Sequence, residues 1–172
     1  MHVFTAIISI IAAWRWGDWR NWKKYHSTML FVVVGNLTYN FICANHFLWR
    51  LIPEFFSNHT IAELGYTFIV FPANALLFLS NYPDNTLKKT IYYIKWIFIY
   101  IIVEYLFLIN NGIIHDYGWN IWWSLAFISI MFPLLRLHHT KPLLAYLFAT
   151  AMGSFIIFYF DVPVEIPMEF RK

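Results

Sequence analysis

Five stretches of this chain are nearly long enough, and apolar enough, to cross a lipid bilayer. A helix rises 1.5 Å per residue, so a hydrocarbon core ~30 Å thick takes about 20 mainly apolar residues. Residues 29–51, 61–79, 91–109, 121–137 and 143–160 come close to that length, and a shorter run covers 3–14. Soluble domains carry ~45–50% apolar and ~25% charged residues. Here the figures are 60% and 12% of 172 residues, which leaves little chain for a separate soluble unit. The expected fold is an all-α polytopic transmembrane helical bundle, one membrane domain over 1–172. Six spanning helices are preferred and five are the alternative, with residues 161–172 as an acidic tail. The run 3–14 has no basic segment before it and no convincing small-residue cleavage site. It therefore reads as a short span, or as a tilted and partly inserted helix, and not as a removed leader.

The links between runs are short and carry Pro53, Tyr82-Pro83-Asp84-Asn85, Asn110-Asn111-Gly112 and Thr140-Lys141-Pro142. Brief links of this kind favour antiparallel neighbours. The basic residues then set the orientation. Nine of the twelve (Arg15, Arg20, Lys23, Lys24, Lys88, Lys89, Lys95, Arg136 and Lys141) fall on one side of the alternating path, and Arg50, Arg171 and Lys172 on the other. Positive charge stays in the cytoplasm, so the first side is cytoplasmic and the tail is outside. Because these cations follow topology and form no single patch, nucleic acid is not an expected partner.

Ionisable groups inside hydrocarbon are costly and often functional. Glu104 lies about five residues from the outer end of its run. On a helix it shares a face with Tyr93, Ile97, Tyr100 and Leu108. Asn45, His46 and Arg50 at the end of the second run and Glu63 at the mouth of the third fall at similar depth, with Asn74 deeper. Together they suggest a polar vestibule open to the exterior, with Asn36, Tyr39 and Asn40 as its floor. Against that, Glu104 can be a structural acid paired to a neighbouring helix, and Asn36 with Asn40 can simply join helices by hydrogen bonds. On the opposite side, Trp14 to Lys24 interleaves tryptophans with cations. Trp19, Trp22, Arg20, Lys23 and Lys24 are the residues expected to meet lipid headgroups, or else to anchor topology.

Other signals are weaker. His138-His139 and His115-Asp116 lack metal-ligand spacing, because adjacent histidines on a helix point apart. Cys43 has no basic activator in its own run. Neither a phosphate loop nor a nucleophile elbow occurs. No metal, cofactor or enzymatic activity is therefore expected. Asn58-His59-Thr60 fits a glycosylation sequon, and Pro72 and Pro133 are expected to kink their helices.

The motifs Trp19-Arg20-Asn21-Trp22, Tyr25 with Thr28, Gly35 to Asn40, Leu48-Trp49, Phe71-Pro72, Asn81-Tyr82-Pro83, Glu104 and Gly118-Trp119-Asn120 span most of the chain. In these the sequence resembles a family of small, uncharacterised multi-spanning membrane proteins of endospore-forming bacteria. The resemblance implies class and localisation in a bacterial cell membrane, and carries no activity. The expected function is a non-enzymatic envelope component that binds lipid, another membrane protein or itself. The alternative is a small transporter or channel with Glu104 as its titrating group.

Overall fold

The computed structural model describes residues 2–53 and 59–171; Met1, Lys172 and Asn58 of the sequon lie outside these. The described chain is almost wholly helical: α1 His2–Trp16, α2 His26–Ile42, α3 His59–Ser80, α4 Thr86–Ile109, α5 Ile121–Thr140 and α6 Pro142–Tyr159. Helices α3 to α6 are long and apolar enough to cross a membrane, while α1 is apolar but has 15 residues. Asparagine opens two of the long helices. Asn85 Oδ1 accepts from Leu87 N at 3.0 Å, and Asn120 Oδ1 accepts from Trp122 N at 3.0 Å, each satisfying a backbone donor with no partner inside the helix.

The expected helix over 29–51 is corrected. It begins at His26 and ends at Ile42, and the remaining apolar residues turn back into a strand, β1 Trp49–Leu51. Asn45 takes a left-handed φ of 63°, a conformation asparagine tolerates better than most residues. The run misleads because Leu48 stays buried without being helical, and hydropathy reports burial, not backbone geometry. Strand β1 pairs antiparallel with β2 Ile113–His115, Trp49 opposite His115, so the α2–α3 and α4–α5 links are stitched together.

The bundle therefore has a strand end and a basic end. Helix α1 reaches both. His2 Nε2 lies 2.8 Å from Ile52 O at the strand end, and Trp16 O accepts from Asn81 Nδ2 at 2.9 Å at the other. Helix α3 covers much the same height, from His59, bonded to Leu51 O at 2.9 Å, to Ser80. Just before Pro72 the helix passes through a π-helical stretch, Tyr66–Val70, in which Phe71 N bonds to Tyr66 O. Helix α5 continues through Pro133.

Leu76, Phe78 and Leu79 of α3 meet Trp96 of α4 and Ile128, Phe132 and Leu135 of α5 in the main core. Burial then falls off sharply: half of the spanning window of α3 is buried, but only 6% of that of α6. Helix α6 exposes Leu143, Leu147 and Phe158 while packing on α5, with Ala145 fully buried. An apolar outer surface of this extent is compatible with lipid around it.

Candidate functional site

Glu104 sits at a junction of three elements near the strand end. Its Oε1 lies 2.9 Å from His115 Nε2 on β2 and accepts the hydroxyl hydrogen of Ser124 on α5. Ser124 Oγ accepts in turn from Trp119 Nε1 at 2.9 Å. The carboxylate is thus a hub that ties α4 to the strand pair and to the start of α5. Serine, histidine and glutamate together raise the question of a nucleophile with its base. The bonding order is different from that of a hydrolase triad, because Ser124 donates to the carboxylate and not to the imidazole. Ser124 is also 4% exposed.

Strand β1 reaches the same hub through stacked rings. Tyr39 of α2 lies parallel to Trp49 at 3.9 Å between ring centroids, and Trp49 leans on Trp119 at 4.6 Å. The Tyr39 hydroxyl both donates to Trp49 O at 2.6 Å and accepts from Trp49 N at 2.9 Å. Asp116 N bonds to Leu48 O at 2.8 Å beyond the pair. The tail closes this end. Arg171 Nη1 donates to Ile42 O at 2.5 Å, and Asn45 Nδ2 donates to Met168 O at 3.0 Å. A cation at the carbonyl end of α2 also suits the helix dipole. Beneath it, burial pushes the Cys43 thiol up to about 11, with Arg171 acting in the opposite direction.

The residues expected to share one vestibule are held by different partners. His46 stacks on Tyr117 at 3.6 Å and approaches Phe160 O, whereas Arg50 pairs with Asp116 at 3.6 Å. Tyr100 accepts from Asn74 Nδ2 at 3.1 Å. Asn36 Nδ2 donates to Thr67 Oγ1 at 2.7 Å and to Glu63 Oε2 at 3.4 Å, and Asn40 Nδ2 returns to Asn36 O. His115, Ser124, Trp119 and Thr67 were not singled out by sequence as site residues. Trp119 alone carried a hint, in Gly118-Trp119-Asn120. The contact of His115 with Glu104 depends on strand pairing, which no local pattern signals.

The basic end is built differently. Between α1 and α2, Trp19–Lys24 forms a 3-10 turn that leaves Trp14, Trp16, Trp19 and Trp22 substantially exposed. Asp18, the one acid of the tract, accepts from Asn21 Nδ2 at 3.1 Å and from the Tyr25 hydroxyl at 3.4 Å. Burial first, and then the charge of Asp18, raise the Tyr25 phenol above its ordinary range. Among the described residues, no carboxylate pairs with Arg15, Arg20, Lys23 or Lys24. Three cations face aromatic rings here: Arg136 lies 4.5 Å and Lys89 5.9 Å over Tyr82, and Lys24 lies 5.5 Å over Tyr25. Comparison with known proteins adds no relative, since no family model, curated protein or solved structure matches this chain.

Proposed function

We propose that this protein is a non-enzymatic component of a bacterial cytoplasmic membrane that crosses the bilayer six times and binds anionic lipid at its cytoplasmic face. In this reading the basic end is the cytoplasmic one and the tail lies outside, which the distribution of Lys and Arg supports. The reading rests on one observation: four cations without a carboxylate partner among the described residues, and four exposed tryptophans, crowd the last turn of α1 and the short connector after it, at one end of the bundle. Tryptophan settles at headgroup depth, and each Lys or Arg near an anionic surface contributes about 1 kcal/mol. Six crossings are the reading that α1 supports, since its two ends are bonded at opposite ends of the bundle. The resemblance to membrane proteins of endospore formers agrees with this placement.

Native mass spectrometry of the protein released from bilayers of mixed phosphatidylglycerol and phosphatidylcholine tests the reading. Retained phosphatidylglycerol, lost when Arg20, Lys23 and Lys24 are changed to Gln, is the expected result. Equal retention of both lipids by the unaltered protein would refute it. In the alternative reading, a small transporter or channel, Glu104 is the titrating group and exchanges its bonds to Ser124 and His115 for the transported ion.

A further inference from the structure

Glu63 presents the problem that Glu104 does not. Its side chain is 8% exposed on the first turns of α3. Among the described residues, no Lys, Arg or His comes within ion-pair distance, and the one donor to its carboxylate is Asn36 Nδ2 at 3.4 Å. The titratable groups on the elements packed against this helix have other commitments. Tyr39 of α2 is bonded to Trp49, with Cys43 beyond it, and His2 of α1 is held by Ile52 O and by the hydroxyl of Tyr66. Arg50 of β1 is paired with Asp116. A carboxylate in such surroundings is unstable until a positive charge joins it.

We infer that Glu63, Asn36 and Thr67 form an intramembrane site for one monovalent cation, a proton or an alkali ion. Oxygen atoms for it are at hand. Thr67 Oγ1 donates to Glu63 O at 2.7 Å and keeps lone pairs facing Asn36, and rotation of the Asn36 amide presents its Oδ1 in place of Nδ2. A single carboxylate with neutral oxygens suits a singly charged ion, where calcium draws on more carboxylates. The π-helical stretch starts three residues after Glu63, at Tyr66, and such irregularities are frequent at functional sites. The site is independent of the lipid reading and shares with it only the bilayer.

The test uses the unaltered protein in nanodiscs, in sodium-free buffer, treated with dicyclohexylcarbodiimide, an apolar reagent that adds to protonated carboxyls. An adduct on Glu63 is expected, since the reagent partitions into apolar surroundings and Glu63 is buried there. Slowing by sodium chloride, but not by choline chloride, assigns an alkali ion; slowing by raised pH alone assigns a proton. A second readout is the unfolding temperature, expected to shift with sodium or pH in the unaltered protein and to shift less in Glu63→Gln. The absence of both the adduct and that difference overturns the inference.

Discussion

The two ends of the bundle contain similar residues put to opposite use. At the strand end, polar and aromatic groups are bound to one another: Glu104 to His115 and Ser124, Tyr39 to the backbone of Trp49, and Arg171 to the last carbonyl of α2. At the basic end, cations and indoles face outward, and among the described residues no carboxylate pairs with Arg15, Arg20, Lys23 or Lys24. Trp119 is 6% exposed and Trp14 is 75% exposed. The same side chain is a structural wedge in one place and an interfacial anchor in the other. Burial decides which, because a buried polar group must find a protein partner whereas an exposed one has headgroups and water.

The sharpest way to break this contrast is to remove the hub. Glu104→Ala leaves Ser124 and His115 facing a void. Losing one partner of a buried pair costs about 3–5 kcal/mol, and the partial exposure of Glu104 puts the expectation at about 3. Unfolding in detergent, followed by tryptophan fluorescence, should show a large drop in midpoint. A loss within about 0.5 kcal/mol, as at ordinary surface sites, would mean that the strand end is held by something else. The matching change at the basic end is Arg20, Lys23 and Lys24 to Gln. It should leave the midpoint nearly unmoved and weaken binding to anionic vesicles by about 3 kcal/mol, roughly a hundredfold, at about 1 kcal/mol per cation. A folding defect in that variant would erase the distinction between the ends.

Sequence made the basic end readable and the strand end obscure, for a physical reason. Lipid-facing helices announce themselves by length and hydropathy, so the runs that became α3 to α6 stood out. Unpaired cations and exposed indoles need no partner, and their clustering from Trp14 to Lys24 is local. The hub is not local. Glu104 meets Ser124 across 20 positions, and His115 reaches it from a strand whose partner, β1, lies some 60 residues earlier inside an apolar run. Glu104 was visible as an acid in a hydrophobic stretch; its partners were not. Of the residues placed at one depth, Asn36, Asn40 and Glu63 meet while His46, Arg50 and Glu104 bond elsewhere, since equal depth in a membrane does not fix which helix faces which.

Smaller changes sharpen the comparison. Tyr39→Phe keeps the stack on Trp49 and removes only the hydroxyl, leaving Trp49 N and O without their partner. The expected loss is about 1–3 kcal/mol, read as the same fluorescence midpoint. A neutral result would show that water replaces the hydroxyl, and so that the strand end is wetter than its packing implies.

The smallest effect concerns whether the tail seals that end. Cys43 is 3% exposed beneath Arg171, and burial raises its thiol from an ordinary 9.0 to about 11. Below pH 9 the thiol is protonated in the folded and unfolded chains alike, and its contribution to stability is fully present. Between about 9 and 11 the unfolded chain releases the proton while the folded chain retains it, so stability declines as pH rises. Comparing the unaltered protein with Cys43→Ala across that window isolates the thiol, since Tyr25 and the other phenols titrate in both. The unaltered protein should lose midpoint faster than the variant. Parallel slopes would mean that solvent reaches Cys43, and that the hydrogen bonds of Arg171 and Asn45 hold the tail beside the strand end without closing it.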